Sequence, residues 1–213
     1  MKRSIIPIIL IVSAAILGTI VVVMALTKPD VKPAPATNTS QQTTPEPNNP
    51  YAALKGDEFD EAFIADMLAH HEGAVNMSEQ AQAQASHEEL KTLAATIMQA
   101  QSIEIATMKQ WQLDWGYDET MNAGHMSHGG DGMDMAGDMT EMMNTLSKLN
   151  GEAFDKEYLA QMIEHHQQAI DMAQFAGENA KHIEVKQLAT AIISTQQSEI
   201  DTMKQWQKQW GYE

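Results

Sequence analysis

The chain repeats itself. Residues Gly56 to Tyr117 align without a gap onto Gly151 to Tyr212 at an offset of 95, and 29 of the 62 paired positions are identical. Each half must then fold alike, and the halves must cover whatever apolar surface either leaves open. Both copies lack Pro, are rich in Ala, Gln, Glu and Met, and space their apolar residues at helical intervals, so each reads as helical throughout. A break between Gln84 and His87 makes the first copy a hairpin, with Ser86 and Glu89 placed to form a capping box for its second helix. The second copy has Lys181 in place of Ser86. Gly116 and Gly211, in a shared Trp-Gly-Tyr ending, stand where a helix stop belongs. An amphipathic hairpin cannot bury its own stripe, so the predicted fold is all-α: two hairpins of helices roughly 25–29 residues long, packed as one antiparallel four-helix bundle over residues 51–213.

Ahead of the bundle, Lys2 and Arg3 precede an uncharged apolar run from Ile5 to Leu26. As a helix it extends roughly 33 Å, enough to span a hydrocarbon core. Residues 1–27 are therefore expected to be a transmembrane helix, a single-pass anchor in the cell membrane. Its basic flank places the rest of the chain on the extracytoplasmic side, periplasmic or extracellular. Val23-Met24-Ala25 is a weak cleavage sequence; if it is cut, the protein is secreted. Residues 28–50 hold six Pro among Thr, Asn and Gln and read as an extended linker.

Charge and cysteine content narrow the function. Acidic residues outnumber basic ones 29 to 13, and a surface this anionic repels nucleic-acid phosphates and attracts cations. With no Cys, thiolate metal sites, iron–sulfur clusters and cysteine nucleophiles are excluded. No Ser–His–Asp arrangement, P-loop or dinucleotide fingerprint is visible, and no catalytic residue is assigned. A binding protein, not an enzyme, is expected.

The chemistry-bearing residues share helix faces. On a helical wheel Phe63, Met67, His70, His71, Ala74 and Met77 fall together, as do Tyr158, Met162, His165, His166, Ala169 and Met172. The second helices carry a narrower stripe that includes Gln101, Glu104 and Met108, matched by Gln196, Glu199 and Met203. Amides and carboxylates within an apolar stripe need partners, and the imidazoles opposite are the natural ones. A Met at such spacing is usually core filler, and duplication copies structural residues as faithfully as ligands. The connector, residues 118–150, carries independent weight. It has seven Met, two His and five Gly, and Met in a Gly-rich polar segment has no core to fill. His125, Met126, His128, Met133 and Met135 are its candidate ligands. Thioether with imidazole suits Cu(I) and its analogue Ag(I). The short stretch Thr140 to Leu149 is expected to form a helix leading into the second copy. His87 and His182 read as structural or surface residues.

Phe59-Asp60, Met67-x-x-His-His-x-x-Ala-x-x-Met77 and Gln101-x-x-Glu-Ile-x-x-Met-x-x-Trp111 recur at Phe154-Asp155, Met162 to Met172 and Gln196 to Trp206. In these motifs the chain resembles the domain-of-unknown-function 305 family. The resemblance covers residues 56–213 and implies a ferritin-like four-helix fold in an exported protein, with an association with copper and silver. It carries Met67, His70, His71, Met77, Met162, His165, His166 and Met172 over as candidate ligands. Gly73 differs from its counterpart Gln168, and Ala69 from Glu164, so the two sites need not be equivalent.

The reading is an extracytoplasmic Cu(I)/Ag(I)-binding protein for sequestration, transfer or tolerance, with a copper carrier or efflux protein as an implied partner. In it Gln101, Glu104, Gln196 and Glu199 are acceptors that orient the imidazoles. One rival is a metal-free helical adaptor whose His, Gln and Glu form a structural network. A second is a ferritin-like di-iron oxidase, which the absence of any Glu-x-x-His at these helices disfavours.

Overall fold

The computed structural model describes residues 49–117 and 135–212, all within one compact unit. Among the described residues the chain is helical, with no β-strand beyond isolated bridges. A 3-10 turn (Pro50–Ala52) leads into α1 (Asp57–Gln84) and α2 (Glu88–Trp115). After the connector come α3 (Met135–Leu146), α4 (Gly151–Ala173), a single turn α5 (Ala176–Asn179) and α6 (Ile183–Trp210). The helix expected over 140–149 is thus present but begins earlier and ends sooner. The first helix of repeat 2 is interrupted at Gln174–Phe175, where repeat 1 runs unbroken to Gln84. The expected anchor (5–26) and nearly all of the linker lie outside the described residues. No helix among those described is long and apolar enough to cross a membrane.

The four long helices form two hairpins, α1–α2 and α4–α6, joined along α1 and α4. Two apolar clusters fill the interior. One gathers Phe59, Phe63 and Met67 of α1 with Met108 of α2, Met172 of α4 and Val185 and Ile192 of α6. The other gathers Met77 and Ala81 of α1, Leu90 and Ile97 of α2, Phe154, Tyr158 and Met162 of α4, and Met203 of α6. Each cluster draws early residues from one helix of a hairpin and late residues from the other, as antiparallel neighbours must. Full burial of each such Phe, Leu or Met contributes about 1.5–3 kcal/mol.

The repeats close on each other reciprocally. Asp155, fully buried at the start of α4, accepts from the backbone N–H groups of Ser86 (2.9 Å) and His87 (3.1 Å), just ahead of α2. Asp60 of α1 does the same for Lys181 (3.1 Å) and His182 (2.9 Å) ahead of α6. This corrects the capping-box expectation: the N-cap is His87, one residue later than Ser86, and makes no side-chain cap, while the Ser86 N–H that Glu89 would have accepted is held by a carboxylate from the other repeat. Isolated bridges pair Gly56 with Ala180 and Ala85 with Gly151, again related by the repeat. At the far ends Gly116 and Gly211 adopt the left-handed conformation (φ 72° and 71°), and the next N–H bonds back to Gln112 and Gln207. These are the expected stops.

Candidate metal centre

Helical spacing puts His70 and His71 on neighbouring faces of α1, and His165 and His166 likewise on α4. The antiparallel contact of α1 with α4 brings the four together in a layer between the two apolar clusters. All four are buried. The rings of His70 and His165 face each other at 3.6 Å between centroids, while each lies over 6 Å from its sequence neighbour.

The outer pair is oriented from the second helix of its own repeat. His71 Nε2 donates to Glu104 Oε2 at 2.6 Å, and His166 Nε2 to Glu199 Oε2 at 2.7 Å. With its proton on Nε2, each ring keeps the Nδ1 lone pair free, and that buried nitrogen finds no partner in either residue. A carboxylate holding one imidazole nitrogen while the other faces inward is the arrangement that prepares histidine for a metal. The expected acceptor role therefore falls to the two glutamates. Gln101 and Gln196 do not share it: each is buried with a side-chain oxygen that accepts from nothing.

The inner pair is more exposed to this problem still, since both ring nitrogens of His70 and of His165 are buried without a hydrogen bond of ordinary geometry. Burial, followed by repulsion from the neighbouring imidazoles, holds both well below the usual histidine range. The Gln168 side chain approaches His70 and offsets part of this. Burial thus favours the neutral form of both rings, each with one lone pair available.

The predicted methionines flank the layer on both sides, but not as sequence grouped them. Met67 and Met77 of one helix enter different clusters. Met67 joins Met108 and Met172, whereas Met77 joins Met162 and Met203. Met67 lies about one turn before the histidines and Met77 about two turns beyond them, so the two sulfurs of one repeat end on opposite sides of the layer. His125, Met126, His128 and Met133 lie outside the described residues, as does the side chain of Met135. Among the described residues no group of three or more His, Cys, Asp or Glu is disposed to hold one metal ion. The donors that remain are paired imidazoles and thioethers, a set for soft monovalent ions.

Asp60 and Asp155 went unassigned in the sequence. They hold His182 Nδ1 (2.7 Å) and His87 Nδ1 (2.6 Å), whose rings stack on Trp115 and Trp210 at 3.7 and 3.8 Å. Their signal was the Phe-Asp pair repeated at the start of each copy.

The sequence profile of Domain of unknown function (DUF305) matches residues 27–112 and 60–207. The chain belongs to the DUF305 family. Its fold is similar to that of CopM, whose Cu(I)-bound form is 35% identical at a TM-score of 0.58, covering 71% of this chain and 96% of that one. CopM is also known in Cu(II)-bound, Ag-bound and apo forms. A DUF305 protein of Streptomyces coelicolor, assigned as secreted, is 29% identical at a TM-score of 0.62, covering 72% of this chain and 92% of its own. An uncharacterized protein of Acanthamoeba polyphaga mimivirus, L153, is 49% identical over 49 residues. The chain spans about a third of that relative's length.

Proposed function

We propose that this DUF305 protein binds Cu(I), with Ag(I) as its analogue, inside the bundle and outside the cytoplasm, and serves to sequester or pass on the ion without catalysing a reaction. The observation that carries this reading is the facing pair His70 and His165, whose four buried ring nitrogens make no hydrogen bond of ordinary geometry. Each unsatisfied buried polar group costs about 1–3 kcal/mol, and folds rarely retain several together. A soft ion bound to the one lone pair of each neutral ring offsets part of that cost. Met67, Met77, Met162, Met172, Met108 and Met203 supply buried sulfur on either side, and Glu104 and Glu199 fix the outer imidazoles. The similarity to CopM, which has copper- and silver-bound forms, supports the choice of metal.

The neutral donors matter for selectivity. Thioethers and depressed imidazoles shed no proton on binding, so affinity persists where a thiolate site would weaken. A di-iron centre of this fold would also draw on Glu-x-x-His pairs, and their absence at these helices disfavours the oxidase reading. The connector residues His125, Met126, His128, Met133 and Met135, the membrane anchor and a recipient carrier enter this reading from sequence alone.

An anaerobic Cu(I) titration against a chromophoric chelator tests it. The protein should remove copper from the chelator, and a chain lacking residues 118–134 should retain that binding. If neither takes copper, the histidine layer is a structural network and the metal-free adaptor reading replaces this one.

A further inference from the structure

The two ends of the bundle are finished differently. Met139 of α3 lies over Gly73 of α1: a Cβ at position 73 would stand 2.2 Å from Met139 Cε and 2.4 Å from its Sδ. Any Cβ there would have to push the end of the Met139 side chain aside, so glycine at 73 leaves room for that sulfur against α1. Position 73 is one turn beyond His70 and one turn short of Met77 on the same helix face. Met139, Met142 and Met143 all pack against the cluster that contains Met77, Met162 and Met203.

Repeat 2 has no such arrangement. Its counterpart of Gly73 is Gln168, whose side chain turns toward His70. The place of Leu146, the last residue of α3, is taken by Tyr51 at the other end; both are buried. The Tyr51 hydroxyl donates to Asp66 Oδ2 at 2.5 Å and lies 3.4 Å from Met172 Sδ. One end therefore gains a thioether, while the other gains a hydroxyl that engages a thioether already present.

We propose that Met139 is a ligand, acting with Met77 and His70 at a soft monovalent metal site, and that this end of the bundle fills before the Met172 end. The proposal rests on the interior binding Cu(I) or Ag(I). His70 supplies a buried, unpartnered nitrogen, Met77 a fully buried sulfur, and Met139 a sulfur brought from outside either repeat. If Met139 merely filled a gap, leucine would serve as well. That substitution separates the two roles.

The test follows methionine methyl resonances of the full chain, 13C-labelled at the methyl groups, through a titration with Ag(I). The first equivalent should move Met139 and Met77 and leave Met172 in place. Met139→Leu should weaken the first Ag(I) by about tenfold or more while leaving the metal-free melting temperature unchanged. Gly73→Ala should reproduce the loss with every sulfur still present, because its Cβ displaces Met139. A Met139 methyl that stays fixed while Met77 moves overturns the proposal and leaves interior binding standing. Simultaneous movement of Met77 and Met172 overturns the order of filling. If no methyl responds to Ag(I), both the proposal and the function it rests on fail.

Discussion

The central and terminal histidines were copied together at the same offset, yet they sit in opposite chemical circumstances. His87 and His182 each donate from Nδ1 to a buried aspartate and stack on a tryptophan, and both remain partly exposed. His70 and His165 are buried more deeply, and their four ring nitrogens make no hydrogen bond of ordinary geometry. Repetition therefore does not distinguish a ligand from a structural residue, whereas satisfaction does. A histidine stacked on tryptophan at the partly exposed end of the bundle faces water and no buried sulfur, whereas one held neutral in an apolar interior among thioethers has a lone pair waiting.

Removing a terminal partner should produce the largest effect on folding. Asp155→Ala strands two backbone N–H groups and the His87 ring at once, and should cost about 3 kcal/mol or more in urea unfolding, with Ag(I) stoichiometry unchanged at saturation. The central pair should show the converse. His70→Ala/His165→Ala should weaken tight Cu(I) binding by about 100-fold or more, equivalent to about 2.7 kcal/mol, measured by chelator competition. If Asp155→Ala abolishes binding in protein that remains folded, the division between the two kinds of histidine is wrong.

Acid sharpens the contrast. An unfolded histidine takes up its proton near pH 6.5, whereas His70 and His165 in the folded chain resist it to well below that value. The folded state then binds fewer protons, so their contribution is fully present above about pH 6.5 and is lost as pH falls toward the depressed value. The limiting slope is about 1.4 kcal/mol per pH unit for each ring. Denaturation midpoints of the metal-free protein between pH 7 and pH 5 should fall accordingly, and the double His→Ala variant should lose much of that fall. The smallest expected change is Glu104→Gln, which keeps a side-chain acceptor but removes its charge. It should weaken one site by about tenfold, detectable as a shift of one step of the competition curve with the other unmoved.

The bundle and its histidine layer were legible because helical period and repetition are local properties of a sequence. Glu104 and Glu199 were also within reach, since a carboxylate in an apolar stripe demands a partner and only imidazoles faced it. Other features depend on which helix meets which. Which sulfurs share a side of the layer, Met67 with Met172 and Met77 with Met162, follows from the antiparallel contact of α1 with α4, not from the wheel of either helix. Ser86 and Glu89 satisfied the local rule for a cap, and Asp155, 69 residues away, won the competition because it is buried and charged. Gly73 looked like a simple difference between the copies. Its meaning required the position of α3, which no periodicity in α1 encodes.

The crossed aspartates bear on ancestry. Since Asp60 finishes the second hairpin and Asp155 finishes the first, neither half is complete alone, and two separate copies of one hairpin would complete each other in the same way. The chain is in effect a symmetric dimer tied into one polypeptide. Two identical subunits cannot hold Gly at one position and Gln at its equivalent; a fused pair can, as it does at 73 and 168. Fusion thus gave the two halves licence to specialise.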